Sequence, residues 1–235
     1  MKLPIKLFTL LLISLSYAAV AQRSSIKVIA EVPLHFGIGY EGQVSKHFSV
    51  GGSLGAMTSP NSDLILSYMR FIGTDELLVL ILEDAFQLGI VGEVNFNYNF
   101  GRNYFGAFGQ AIGVKAGDAS WDVVEDYFNT TQNSYPFKPG KAGTSDKYVT
   151  VKTRLYQAGV LYGHRFPIEG SRFEIDVEMG LSANVGSTSN ITSASHDLSA
   201  LNTRFNETLD KFYKDYAFIP SLGVLFVYKL KPNEN

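Results

Sequence analysis

The chain has 235 residues, of which 46% are hydrophobic, 13% aromatic and 18% charged, and it contains no cysteine. The lack of cysteine excludes disulfide scaffolds, thiolate metal sites and cysteine nucleophiles. Its 20 basic and 22 acidic residues give a formal charge of −2 without any basic block, so a nucleic-acid-binding surface is excluded as well.

Residues 1–21 have the three parts of a secretory signal peptide. Two lysines precede the apolar residues 7–15, and the small-x-small pattern Ala-Val-Ala at 19–21 follows as a cleavage site. The apolar run of about nine residues is too short for a transmembrane helix, which needs about 20. We therefore predict an exported chain whose mature domain comprises residues 22–235. Because no cysteine follows the cleavage site, a lipoprotein anchor is disfavoured.

Alternation of apolar and polar residues is the main pattern of the mature sequence. Its longest aliphatic run, 77–82, has six residues, which excludes a helical span. The other structure that spans a bilayer is a closed barrel of strands that alternate apolar and polar side chains. The pattern predicts eight such strands, with ten as the alternative: 25–32, 34–44, 48–56, 87–100, 104–115, 156–166, 172–185 and 217–229.

The clearest strand is 172–185, where apolar residues such as Phe173 and Val177 alternate with polar or small residues at every position. For the strand 104–115, we predict which side chains point inward by placing Lys115 inside the barrel. That choice predicts three apolar residues on the outer face of this strand: Phe108, Ile112 and Val114.

Short and long connections alternate along the chain. Tight turns are predicted at 45–47, 101–103 and 167–171, whereas the connections 58–85, 117–150 and 187–216 are long. Outer-membrane barrels have short periplasmic turns and long extracellular loops. The pattern therefore predicts that both termini lie on the periplasmic side.

Each long connection contains a helix-like segment. The first has a cap at Asn61 or Ser62, a helix over 63–72 ended by Gly73, and a second helix over 76–84. Further helical segments are predicted at 121–128 and 195–213. We favour helices that simply form the core of each loop. The alternative is an apolar ligand site at the extracellular mouth, formed by Leu77, Leu78, Leu80, Ile81, Trp121 and Phe205.

Charged residues fall on the predicted inner face of the barrel. An eight-stranded barrel is only wide enough for its own side chains, so we interpret them as a charge-paired plug, with an ion pathway as the alternative. The predicted lumen charge network consists of Glu41, Glu93, Lys115, Arg165, Glu174, Asp176, Glu178 and Lys229.

Motifs for catalysis or cofactor binding are weak. Residues 37–42 match the spacing G-x-G-x-x-G, but a turn and a strand follow where a phosphate site needs a helix. His35 and His164 are predicted at opposite ends of the barrel wall, and neither has a serine at a suitable spacing for nucleophilic catalysis. We predict no catalytic residue, no metal site and no cofactor.

The segments 40–52 and 98–104, together with a signal peptide that ends before Gln22, resemble the outer-membrane β-barrel proteins of Bacteroidota. The resemblance covers the mature chain and implies a fold and a location, not a substrate. It departs at the C-terminus, where Tyr228 is followed by a seven-residue tail instead of closing the chain. Recognition by the barrel assembly machinery would then rely on Phe226 and Tyr228.

Together these patterns predict an all-β fold, an eight-stranded antiparallel transmembrane β-barrel with helix-containing extracellular loops. The favoured function is that of a non-enzymatic surface protein whose loops bind a partner or ligand. The alternatives are a channel or transporter for small or hydrophobic solutes, and an enzyme that modifies outer-leaflet lipid. Expected partners are outer-membrane lipid, the assembly machinery and a small hydrophobic ligand. The oligomeric state stays open.

Overall fold

The computed structural model describes residues 24–58, 60–71, 73, 76, 79, 88–120, 148–192, 206 and 218–230. Its strands form one closed antiparallel barrel in which each strand pairs with its sequence neighbours and the last strand pairs with the first. The predicted all-β, eight-stranded antiparallel barrel is confirmed. The strands are β1 (Ser24–Val32), β2 (His35–Gln43), β3 (Phe48–Met57), β4 (Leu88–Phe100), β5 (Asn103–Ser120), β6 (Tyr148–Pro167), β7 (Phe173–Thr192) and β8 (Phe218–Lys229).

The barrel has one end with short turns and one with long connections. At the short-turn end, residues 44–47, 101–102 and 168–172 join neighbouring strands, and Gly101 and Gly170 adopt positive φ values of 63° and 71°. Glycine suits these positions because a side chain disfavours that conformation. The long connections lie at the other end, as predicted, with the tight Pro33-Leu34 turn between β1 and β2.

The outer face of the barrel is apolar and its interior is polar. Leu54, Val94 and Val160 are 67%, 66% and 61% exposed on the outside, whereas Lys27 and Asp176 are 4% and 0% exposed inside. Because side chains alternate across a strand, each strand contributes to both surfaces. This distribution is the reverse of that in a water-soluble barrel.

Aromatic rings form a continuous belt on the outer face near the short-turn end. Successive ring centroids lie 5.1–6.2 Å apart, within the range of favourable aromatic pairs. Neighbouring strands bring the rings together, since Tyr98 pairs in register with both Phe48 and Phe105. The aromatic belt consists of Phe96, Phe48, Tyr98, Phe100, Phe105 and Tyr162.

Three strands extend well beyond the others at the long-loop end. β5, β6 and β7 have 18, 20 and 20 residues, whereas β1 and β2 have 9 each. The predicted loops 117–150 and 187–216 were therefore too long, because parts of them are strand. The extension of β7 over 187–192 consists of Ser, Thr and Asn apart from one Ile, so it lacks the apolar alternation that marked the rest of the barrel.

The predicted facing of β5 was wrong. Phe108 and Ile112 are 6% and 2% exposed inside the barrel, and Val114 also packs against the interior. The register pairs Lys115 with Lys152, which is exposed on the outer face, so Lys115 occupies an outward position. Its side chain lies outside the described residues. The error arose because the prediction placed Lys115 inside the barrel, whereas the interior takes the large apolar residues of this strand instead.

One helix of the long connections is described in full. Helix α1 (Asn61–Phe71) follows β3 and is succeeded by Gly73 at φ 82°. It confirms the predicted helix and its glycine stop, although it begins at the residue predicted as its cap. Asp63 in its first turn and Arg70 in its last match the helix dipole.

The other predicted helices lie wholly or mostly outside the described residues. Of 76–84 only Glu76 and Val79 are described, and of 195–213 only Asn206; each of these is helical. The predicted helix 121–128 and the predicted signal peptide 1–21 are outside the described part of the chain. Within that part, no helix has the length and hydropathy required to cross a membrane.

Candidate functional site

The interior of the barrel is the candidate site, and a cluster of apolar side chains lies in it towards the long-loop end. Leu34, Met57, Val91 and Ile112 come from four different elements and are at most 2% exposed. Val114, Leu155 and Ile219 pack against them. We call the first four residues the apolar plug. These seven side chains fill part of the lumen at that end of the described barrel.

A cluster of buried charges lies in the half of the lumen towards the short-turn end. Glu41 accepts from Lys27 Nζ at 2.8 Å, from Arg165 Nη2 at 3.2 Å and from Asn97 Nδ2 at 3.1 Å. The side chains of Lys27 and Glu41 are only 6% and 11% exposed. Buried charges persist only when they are paired and hydrogen-bonded, so these contacts hold four strands together, β1, β2, β4 and β6.

Tyr104 links the charge cluster to the carboxylates of β7. Its hydroxyl donates to Asp176 Oδ2 at 3.3 Å and to Glu178, while the Arg165 guanidinium lies 4.5 Å from its ring centroid. The tyrosine is fully buried. It therefore contacts both a cation of the charge cluster and two carboxylates of β7.

Gly163 makes room for the Tyr104 ring, because the two residues are paired across β5 and β6. A methyl group at Gly163 would overlap that ring, whereas one at Gly109 would come no closer than 3.9 Å to any atom. We expect Gly163→Ala to lower the free energy of unfolding by about 1–3 kcal/mol through overpacking. Gly109→Ala is the matched control and should change it far less. Urea unfolding of both variants in detergent checks this, and equal effects would contradict it.

A second group of acidic side chains lies between the charge cluster and the apolar plug. Glu31, Glu93 and Glu178 line a cavity of about 20 Å³ together with His35, enough space for about one water molecule. His35 Nδ1 lies 3.4 Å from Glu31 Oε2, but the geometry is not that of a hydrogen bond. No group of three or more potential ligands among the described residues is arranged to hold a metal ion.

A cavity of the described barrel opens at the short-turn end. Its volume is about 360 Å³, and Lys229 pairs with Glu174 at 2.6 Å on its wall. Arg165 and Glu41 form its inner end, and the cations Lys46 and Arg102 line its mouth. We call this space the vestibule.

Most of the predicted lumen charge network lies inside the barrel. Glu41, Arg165 and Asp176 are joined by direct ion pairs. Glu174 pairs with Lys229, Glu178 contacts Tyr104, and Glu93 accepts from Asn95. Lys115 is the exception, at its outward position in β5.

Two interior residues central to the charge cluster were missed in the sequence. Lys27 lies between Ile26 and Val28 in a strand that was predicted only from its length and position. The alternation of apolar and polar residues in this strand could have predicted that Lys27 points into the barrel. Tyr104 was missed because the facing of β5 was wrong. The glycines opposite Tyr104 and Phe108 were the available signal, since a large inward ring needs a small partner.

The predicted apolar loop site cannot be placed. Leu77, Leu78, Leu80, Ile81, Trp121 and Phe205 all lie outside the described residues.

The two histidines considered for catalysis lie at opposite ends of the barrel, as predicted. His35 is buried inside the barrel, towards the long-loop end where the apolar plug lies. His164 lies on the outer face at the short-turn end, with Nδ1 2.7 Å from Asn103 Oδ1, an atom that also accepts from the Tyr162 hydroxyl. The two rings therefore do not form one site.

Several solved structures are similar to this chain, including three from Acinetobacter baumannii and Thermus thermophilus. CarO from Acinetobacter baumannii is 10% identical, with a TM-score of 0.39, and the match covers 90% of this chain and 98% of that one. A major outer membrane protein from Thermus thermophilus is 10% identical, with a TM-score of 0.43 and coverage of 88% and 99%. Acinetobacter baumannii CarO2 is 8% identical, with a TM-score of 0.35 and coverage of 88% and 98%. No protein-family model and no curated protein sequence matches the chain.

Proposed function

We propose that this chain is an integral outer-membrane β-barrel protein that acts without catalysis and holds long loops at the cell surface, where they bind a partner or ligand. The observation that carries the proposal is the reversed distribution of side chains, with large apolar residues exposed on the outside and charged residues buried inside. An exposed apolar surface of this extent is stable in lipid and aggregates in water.

The dimensions of the barrel support this proposal. β8 has 12 residues, and at about 3.3 Å per residue with a tilt near 40° such a strand rises about 30 Å. That height is sufficient for the apolar band of an outer-membrane barrel, about 25 Å tall. The aromatic belt fits the interfacial girdle that flanks this band in such proteins. In the proposed orientation the short turns and both termini face the periplasm.

The filled lumen supports an anchoring role over transport. Buried apolar side chains of the apolar plug lie in the lumen towards one end, and the ion pairs of Glu41 with Lys27 and Arg165 lie in the other half. We expect the purified protein to produce no defined conductance steps in planar bilayers, because hydrated ions find no continuous path. Regular steps would favour the alternative function as a channel.

Electrophoretic mobility tests the proposed barrel directly. The protein extracted from membranes should migrate anomalously in unboiled detergent samples and normally after boiling, because a closed strand network resists detergent until heated. A band that is insensitive to heat, together with recovery of the protein in the soluble fraction, would contradict the proposal. The mass of the same sample shows whether the chain begins at Gln22.

Orientation can be tested without a background signal, because the chain has no native cysteine. Glu169 lies exposed in the turn between β6 and β7, whereas Asn190 is exposed near the far end of β7. In the proposed orientation, intact cells carrying Asn190→Cys should react with a membrane-impermeant maleimide. Cells carrying Glu169→Cys should react only after the outer membrane is permeabilised. The opposite result would reverse the orientation.

A further inference from the structure

We infer that the vestibule binds a small hydrophilic organic phosphate, a phosphate monoester on a hydroxyl-bearing body. The inference concerns a site distinct from the long loops. It rests on the proposed function only in naming the compartment, since in the proposed orientation the ligand comes from the periplasm.

The vestibule has the size and enclosure of a ligand site. Its volume of about 360 Å³ falls in the range of about 300–1,000 Å³ typical of small-molecule sites. Inward residues of seven strands line it, including Ser25, Gln43, Ser49 and Lys229. The barrel wall therefore separates the vestibule from the surrounding lipid, and a ligand enters from the aqueous side.

The charges of the vestibule are not balanced. Of its two carboxylates, Glu41 is paired with Lys27 and Arg165, and Glu174 is paired with Lys229. Lys46 and Arg102 line the same space, and neither has an ion-pair partner among the described residues. Two unpaired cations at one mouth match the charge of a phosphate monoester, which is about −1.5 to −2 at neutral pH.

The remaining lining is polar. Asn99 is 7% exposed, its Nδ2 donates to Ser49 Oγ at 3.2 Å, and its Oδ1 is buried without a hydrogen-bond partner. The Asn99 side chain thus places an amide group beside the vestibule. Ser24, Ser25 and Gln43 add further hydrogen-bonding groups. This lining favours a hydroxylated ligand over an apolar one.

Calorimetric titration of the detergent-solubilised full mature protein tests the inference. The probes are glycerol 3-phosphate, glycerate as the carboxylate of similar size, and glycerol as the neutral body. We expect saturable binding of glycerol 3-phosphate, weaker binding of glycerate and none of glycerol. Binding should weaken as salt rises, because exposed charges are screened.

The double variant Lys46→Gln/Arg102→Gln should bind glycerol 3-phosphate at least about tenfold more weakly, since charge-assisted hydrogen bonds are lost. Arg172→Gln is the matched control, because Arg172 is an exposed cation at the same end that does not line the vestibule. Its affinity should equal that of the wild type. Heat-dependent mobility confirms that each variant is folded.

Several results would overturn the inference. One is that glycerol 3-phosphate does not bind saturably, and another is that the double variant binds it as tightly as the wild type. A third is that Arg172→Gln loses as much affinity as the double variant, which would indicate unspecific electrostatic attraction. Equal affinity for glycerate would overturn the choice of phosphate. Each of these results leaves the electrophoretic test of the barrel unaffected, so failure of the site is distinguishable from failure of the proposed function.

Discussion

The Glu41→Gln variant is expected to lose about 3–5 kcal/mol of unfolding free energy, because it leaves buried cations without their carboxylate. Lys27 and Arg165 both pair with Glu41, and their side chains are 6% and 19% exposed. The amide keeps the shape of the carboxylate but not its charge. Reversible urea unfolding in phospholipid vesicles, followed by circular dichroism, measures the loss.

Two comparisons make this prediction specific. Glu169→Gln removes a carboxylate from an exposed turn and should change the stability by no more than about 0.5 kcal/mol. In the double variant Lys27→Met/Glu41→Gln one buried cation is removed with its partner, so part of the loss should be recovered. If Glu41→Gln costs no more than the Glu169 control, the charge cluster does not stabilise the barrel.

A second large effect is expected on the outer face. Val160 lies midway along the apolar stretch of β6, between the outward residues Tyr156 and Phe166, and it is 61% exposed. In a bilayer, Val160→Arg should cost about 2–4 kcal/mol, the penalty for a cation near the midplane of a membrane barrel. In a barrel surrounded by water, the same change would be nearly neutral, so unfolding measurements in vesicles distinguish the two environments.

Thr192→Arg is the matched control for Val160→Arg. Thr192 is exposed at the last position of β7, on the polar extension of the barrel. An arginine there should alter the stability by no more than about 0.5 kcal/mol. Equal penalties at both positions would contradict the proposed placement in the membrane.

Alternation made most of the barrel predictable. In β7 the apolar face from Phe173 to Leu181 contacts one environment and the face with Glu174 and Asp176 contacts another, so a period of two follows directly. In β5 the side chains also alternate, but here the large apolar ones point inward, because the lumen is filled by apolar as well as charged side chains. Phe108 and Ile112 fill the interior, while Ala107 and Ala111 face outward.

The strand ends and the partners of the candidate site were less predictable. The end of β7 reads Ser-Thr-Ser-Asn-Ile-Thr, a composition shared by loops and by strands with water on both sides, so periodicity carries no signal there. The cations that pair with Glu41 depend on how strands on different sides of the closed barrel are aligned with one another. Lys27 and Arg165 are far apart in sequence and meet at Glu41 only because β1 closes the ring through β8.

The unequal lengths of the strands have a consequence for anything that approaches the barrel. β7 continues to Thr192, whereas β8 begins opposite Ala183, so the wall on one side stands higher by nine residues of β7, about 30 Å measured along the strand. Among the described residues, the part of the wall formed by β5 to β7 projects furthest in the proposed orientation. A large particle that contacts this part of the wall would meet the described barrel at an angle to its axis.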